Sequence, residues 1–520
     1  MLASSVGRAP ASAEANPELT FNSDHQITAD QTKHLGASTV AEQLSSKPLR
    51  DPVPRIAHHI ARTKFDDIAP EALASAKTFL LDTVGVGLAG TADPNVGRII
   101  AAAAAWGESH DATIWNSRLR LPAPSAAFAN AYLIHCLEFD CIHEAAVVHP
   151  MATLVSALLA WCERASRGGD PVSGRRFLTA LVVGVDVASL LGVSTRSPLR
   201  FFRPATAGGF GALAAIANVA GFDEEQVRDA LGIQYGQTSG TMQAHVEGSM
   251  ALGLQIGFNA RAAITAADLA AARLRGPHNV LTGPFGYFAL FENGSYDSSA
   301  IDAELGRRWQ ITQLSHKPYP SGRLSHGSVD GLARLMRKHG FSAEDIEEVT
   351  VRAPSLVMRL VGRPDVPNPT SNYAKLCIPF VAGTFLARGR VDVPDFASPD
   401  MLNDPRVHSF AARIRVVQDE NPDENAIAPQ RIAVRLKGGA THEALLPVIY
   451  GHPDAPLTPA ENLNKFARCC SYAQPPVPAS ARDQLIDVIS RLETAEDVAP
   501  VAALVSLPVE DGQVLGTDPD

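Results

Sequence analysis

The sequence predicts a mainly α protein with an inserted α+β domain: a large all-α helical domain and a smaller α+β lid. Three observations predict it. From Asp51 to about Glu292, apolar residues recur at helical spacing and alanine is abundant. Near Trp309 the texture changes to short alternating runs rich in β-branched residues. After Pro456 and Pro459 it becomes helical again. The implied division is a disordered tail over 1–47, helical domain over 48–308, lid over 309–457, helices rejoining the helical domain over 458–507, and a loose tail over 508–520.

Each element has a local reason. Pro70 and Glu71 make a good first turn for a helix that ends at Gly90. Ser125 to Leu137 is an alanine-rich helix, and Pro150 opens the next, over Thr153 to Ala165. Phe177 to Val193 is apolar but shorter than the roughly 18 uninterrupted residues of a membrane span, and Asp186 sits in its centre. It reads as a buried helix of a soluble body. Phe210 to Ala220 is a small-residue helix stopped by Gly221, Asp223 caps Glu224 to Leu231, and Ala251 to Leu274 follows. In the lid, Ile346 to Arg352, Arg413 to Val417 and Arg431 to Leu436 read as strands. Glu443 to Tyr450 can pair with the last of these across Gly438-Gly439, at an edge because of Pro447. Helices are expected near Gly327 to His339, Tyr373 to Arg388 and Ala479 to Glu493.

Charge and composition exclude several classes. The 520 residues carry 45 Lys+Arg against 55 Asp+Glu, a net charge of −10, with no concentrated basic run, so nucleic acid is not the expected partner. Six cysteines without a CxxC pair make neither a disulfide framework nor a zinc motif, which suits a reducing compartment. No apolar leader stands at the N-terminus, so the expected location is the cytoplasm, or the mitochondrial matrix for a eukaryotic source.

Three segments carry chemistry. His135 to His149 reads HCLEFDCIHEAAVVH and gathers three histidines, three carboxylates and two cysteines between two apolar helices. That density points to proton transfer, for which histidine is the natural shuttle near neutral pH. His143 and His149 do not match zinc spacing, so no metal is expected. Ser315 to His326 reads SHKPYPSGRLSH; two prolines stiffen a loop bearing His316, Lys317, Arg323 and His326, suited to a carboxylate ligand at the domain junction. Gly236 to Gly257 holds Gln243, His245 and Glu247 among glycines and small hydroxyls, either a site wall or a tight helix junction. It fits neither GxSxG nor GxGxxG.

In this order, LLDTVGVGLAG (80–90), ANAYLIHCLEFDCIHEAAVVHP (129–150), GFGALAAIANVAGFD (209–223), GIQYGQTSGTMQAHVEGSM (232–250), GPFGYFALF (283–291) and KPYPSGRLSHGSVD (317–330) resemble the MmgE/PrpD family. The resemblance implies an all-α domain with an α+β lid, a homodimer, a site between the domains and no metal or organic cofactor. It also implies lyase or isomerase chemistry on a small di- or tricarboxylate, by proton transfer next to a carboxylate. Glu138, before Phe139-Asp140, matches the acidic position; His149, Lys317 and His326 match the family histidine, lysine and later histidine. At four positions the chain departs from the resemblance. Leu252 stands where a lysine is implied, Gly322 and Arg203 where histidines are, and Phe380 where a tyrosine is. These weaken cis-aconitate decarboxylation most. The expectation is therefore a dehydratase-type lyase, with an epimerase or a non-catalytic homologue as alternatives. His149 is expected as general acid/base, oriented by Glu138 or Asp140, with Lys317 and Arg323 on carboxylate oxygens and Arg203 as a third cation. His326, His143, Gln243 and His245 are expected to line the site.

Overall fold

A computed structural model describes residues 51–506, and the expected tails over 1–47 and 508–520 lie outside them. The helical part contains α1 (Pro70–Gly90), α2 (Ala123–His135), α3 (Pro150–Arg167), α4 (Gly174–Val193), α5 (Arg203–Val219), α6 (Glu224–Tyr235) and α7 (Ala251–Ala271). α2 is buried on every side, as its lack of a polar face requires. Small residues let these helices approach closely. A Cβ on Gly90 would meet the Leu133 carbonyl of α2, and one on Gly211 would meet the Gly184 carbonyl of α4. The run Gly208-Gly209-Phe210-Gly211 thus serves close helix packing. Asp223 caps α6 through the Gln226 N–H, and the Gln226 side chain returns the bond.

α1 and α4 are each long and apolar enough to cross a membrane, but both are packed inside the protein. In α4, Asp186 accepts the Gln310 N–H at 2.7 Å and faces His59 at 3.2 Å.

The second texture is a four-stranded sheet. β3 (Ile346–Ala353) lies between parallel β4 (Ile414–Gln418) and antiparallel β5 (Gln430–Leu436), and β5 pairs with β6 (Thr441–Leu446) at the edge. Val349 sits opposite Ile414 and Val434, and Val351 opposite Val416 and Ile432. Helix α8 (His326–His339) lies against β5 so tightly that Gly327 and Gly331 leave no room for a Cβ beside Gln430 and Ile432. The β5–β6 turn uses Gly439 at φ +85°, and Pro447 follows the edge strand.

Several expected helix bounds differ. Tyr373 to Arg388 divides into Ser371–Lys375 and α9 (Ile378–Arg388), because Pro379 starts a new first turn. The final helix stops at Ser490, and Ala499–Leu504 adds a further helical turn. Before it, α10 (Pro459–Tyr472) returns to the helical part and presses Phe466 and Cys469 onto Gly85 of α1. α5 begins earlier than expected, at Arg203, with Pro204 in its first turn.

Candidate active site

The histidine-rich segment leaves the C-terminus of α2 and returns as the N-terminus of α3. Between them, β1 (Ile142–His143) pairs antiparallel with β2 (Leu314–Ser315), and His143 also bridges Val148. This pairing brings the 135–149 segment beside the start of the SHKPYPSGRLSH loop. Glu138 and Val147 both hold left-handed backbone, at φ +53° and +52°. For a β-branched valine that conformation is a true outlier, so the surrounding packing holds the segment in shape.

Asp140 is the centre. His135 Nδ1 lies 3.0 Å from Oδ2 and 3.2 Å from Oδ1, and His149 Nδ1 lies 3.2 Å from Oδ2. The His149 contact is close but is not a well-angled hydrogen bond. Lys317 Nζ donates to Glu138 Oε2 at 2.9 Å and stands 3.9 Å from Asp140 Oδ1. His135 Nε2 is 3.5 Å from Glu138 Oε1. All five side chains are buried.

Three buried lysines hold the turn that carries these carboxylates. Lys375 donates to the Cys136 carbonyl at 3.0 Å, Lys317 to that of Glu138 at 3.1 Å, and Lys465 to that of Phe139 at 3.0 Å. These carbonyls follow the end of α2, where unpaired C=O groups and the helix dipole both favour cations. Lys465 also pairs with Asp82 at 2.7 Å and lies over the Phe139 ring.

The field splits the two imidazoles. Burial pushes both towards the neutral form. For His135, Asp140 and Glu138 overcome burial and raise its pKa. For His149, burial prevails over Asp140, helped by Lys317 and His135, and its pKa falls. Burial would raise the carboxyls, but Lys317, His135 and His149 hold Glu138 at about 2, and the two histidines hold Asp140 well below the usual range. The cluster therefore makes His135 the more basic imidazole of the two and His149 the less basic. His149 Nδ1 faces Asp140, which leaves Nε2 to meet a ligand.

His149 and Glu138 line a small cavity of about 50 Å³, with His245, Arg323, Gly322 and Leu252 also on its wall. A larger cleft of about 530 Å³, near Phe79 and Leu457, lacks a comparable acid–base set; its Asp82 is held by Lys465. His135, Asp140 and His149 bring ligand-type atoms within 4.8 Å of one another, the donor set among the described residues best arranged for a metal.

The expected site residues divide. Glu138, Asp140, His149 and Lys317 come together. His245 and Arg323 reach the cavity wall, but Arg323 is not free for a carboxylate. It donates to Glu144 at 2.7 Å and to the carbonyls of Tyr450, Ile449 and His316. Arg203 is buried on Glu292 at 3.2 Å and on the Ala146 carbonyl and is not one of the cavity's lining residues. His326 is buried on the Ser321 carbonyl. His143 bonds Gln310 at 3.1 Å, and burial lowers it to about 4. Gln243 is exposed and bonds Glu247. Of the four departures, Leu252 and Gly322 fall on the wall, whereas Arg203 and Phe380 do not. The sequence reading gave no role to His135, Lys375 or Lys465. His135 was visible in its segment; the two lysines lie far away in sequence and carry no local signal.

Models of the MmgE/PrpD N-terminal domain and the MmgE/PrpD C-terminal domain match residues 54–299 and 319–491. Cis-aconitate decarboxylase of Mus musculus is 27% identical over 467 residues, covering 86% of this chain and 91% of that protein. The cis-aconitate decarboxylase-like protein oryM of Aspergillus oryzae is 26% identical over 486 residues, 89% of this chain and 98% of its own. The 2-methylcitrate dehydratase of Escherichia coli is 22% identical over 394 residues, 71% and 79%.

Proposed function

The chain belongs to the MmgE/PrpD family, and from that premise we propose that it is a dehydratase-type lyase acting on a small carboxylic acid without an added cofactor. One observation carries the reading: a neutral imidazole, His149, on the cavity wall with Nδ1 against a buried, ionised Asp140. His149 Nε2 takes the proton from the carbon next to the carboxylate. The bond from the neighbouring carbon to its hydroxyl breaks, and the proton leaves with that hydroxyl as water. Asp140 stabilises the imidazolium while it exists, and His135 and Lys317 keep Asp140 ionised. A single histidine serves as base and then acid, because the other ionisable group of the cluster on the wall, Glu138, is held as a carboxylate.

An epimerase needs a second proton-transfer group facing the substrate. Lys317 and His326, which could serve as that second group beside His149, do not line the cavity, which favours the lyase. A homodimer belongs to the same proposal; Trp106 and Phe258 are exposed apolar side chains it would cover. So does a reducing cytoplasmic setting, supported by six buried, unpaired cysteines.

The test is proton NMR in D₂O with citrate, aconitate, malate, tartrate, iminodisuccinate and simple hydroxy acids. The expected result is deuterium beside a carboxylate and an alkene product, both abolished in His149→Gln. Exchange that survives in His149→Gln removes His149 from the mechanism. A stereoisomer without alkene establishes the epimerase instead, and binding without exchange identifies a non-catalytic homologue.

A further inference from the structure

The cleft of about 530 Å³ beside Phe79 and Leu457 has no part in the reaction at His149. Its size falls within the roughly 300–1,000 Å³ of small-molecule sites. One wall is a face of α1 that carries Phe79 and Asp82. The others come from Leu314 and His316, from the 451–459 segment, and from Asn462 in the first turn of α10. Pro453, Pro456 and Pro459 fix the backbone of that segment, so its shape is set before any ligand arrives.

Three polar atoms of the lining residues are buried without a hydrogen-bond partner: Oδ2 of Asp82, Nε2 of His316 and Oδ1 of Asn462. Buried polar groups are normally paired, because an unpaired one has lost its hydration with nothing in return. Asp82 and His316 are only 7% and 6% exposed. Asp82 gives Oδ1 to Lys465 at 2.7 Å. The His316 ring stacks on Phe79 with 4.2 Å between centroids, and its backbone N–H donates to the Gly451 carbonyl. Packing thus holds the imidazole in place and leaves Nε2 unused.

These groups define what fits. Asp82 is the one charged side chain on the wall, and Lys465 already balances it. A charged occupant of either sign would be desolvated without a counter-ion of its own. The free atoms of Asp82 and Asn462 are acceptors and call for a donor. Burial pushes His316 down to about 4, against an opposing pull from Asp82. Its ring is therefore neutral, and Nε2 either donates or accepts, according to tautomer. A hydroxyl matches both partners, since it donates one hydrogen bond and accepts others.

We propose that this cleft is a second ligand site, which takes an uncharged alcohol or phenol with its hydroxyl at Asp82 and His316 and its apolar body against Phe79, Leu314 and Leu457. The site is independent of the lyase reading.

The experiment titrates the full-length protein with 4-propylphenol, its methyl ether 4-propylanisole, 4-propylbenzoate and 4-propylbenzylamine. The four share one apolar body and differ in the group offered to Asp82 and His316. By calorimetry the phenol should bind saturably, and the other three at least about fivefold more weakly. In histidine-labelled protein the phenol should move the His316 ring signals, assigned with His316→Gln. His316→Phe keeps a ring against Phe79 but lacks Nε2, and should weaken the phenol about threefold to tenfold while leaving the ether unchanged. Asp82 is left intact because its partner Lys465 also holds the Phe139 carbonyl. Equal binding of the phenol and any of the other three overturns the proposal. So does binding that leaves the His316 signals unmoved, or no saturable binding of the phenol. The wild-type rank order needs no variant, so a poorly folding His316→Phe protein still leaves a decisive result.

Discussion

Asp140 and Asp186 are both fully buried, and each lies 3.2 Å from an imidazole nitrogen. Their ionisation nevertheless runs in opposite directions. Burial raises the Asp186 carboxyl, and His59 with the Gln310 N–H only partly offsets it. Burial acts on Asp140 as well, but two histidines overcome it, and Lys317 stands 3.9 Å away. One imidazole beside a buried acid makes a structural pair. Two imidazoles and an ammonium hold a carboxylate ionised and separate one histidine from the other in basicity. Pairs of titratable groups driven apart by their surroundings are the mark of acid–base assignment.

The largest expected effect falls on rate. His149→Gln should lower kcat by about 10² to 10⁴ with the fold unchanged by circular dichroism, whereas His59→Gln should leave kcat within a small factor. Equal losses in steady-state assays would erase the distinction between the pairs.

Next comes stability at neutral pH. Asp140→Asn leaves His135 and His149 without their shared carboxylate and should cost about 3–5 kcal/mol by urea unfolding. Asp186→Asn removes a charge that burial disfavours and should change stability by about 1 kcal/mol or less, in either direction. A similar loss in both variants would show that the cations around Asp140 matter little.

The pH dependence sharpens the same contrast, because the signs differ. Glu138 has an ordinary value of 4.5 and sits at about 2, and Asp140 is depressed from 3.8. Their contributions are full above the ordinary values and fade as pH falls through the depressed ones. Asp186 is raised above 3.8, so its contribution is full below that value and is lost as pH rises through the raised one. The Asp140→Asn penalty should therefore shrink in melts taken below pH 4, while the difference between Asp186→Asn and wild type should be smallest there and shift in favour of the variant as pH rises.

The smallest effect concerns the lysines that hold the turn. Lys465→Met should lower kcat less than Lys317→Met does, because Lys465 grips only the Phe139 carbonyl and Asp82 whereas Lys317 also fixes Glu138. Parallel kinetics on the two variants decide the order.

Much of this was legible in sequence, for physical reasons. Periodicity and caps located α1, α6 and the strands at 346–353 and 430–436, since each carries its own pattern. The density of HCLEFDCIHEAAVVH marked the candidate site segment, and the stiff KPYP loop marked Lys317. Pairing was not legible. Arg203 and Arg323 look like ligand cations in sequence, but Glu292 and Glu144 claim them only after folding. Lys465 on an amphipathic helix reads as solvated, yet it points inward to a carbonyl 326 residues away.

The central claim is the division of the two imidazoles that share Asp140. Nitrogen-15 NMR of histidine-labelled protein near neutral pH, assigned with His135→Gln and His149→Gln, measures it directly. The expected spectrum shows His135 protonated on both nitrogens, and His149 neutral with its proton on Nδ1 and Nε2 bare. Two cationic rings, or a His149 protonated on Nε2 instead, would contradict its assignment as the base, and two neutral rings would contradict the division.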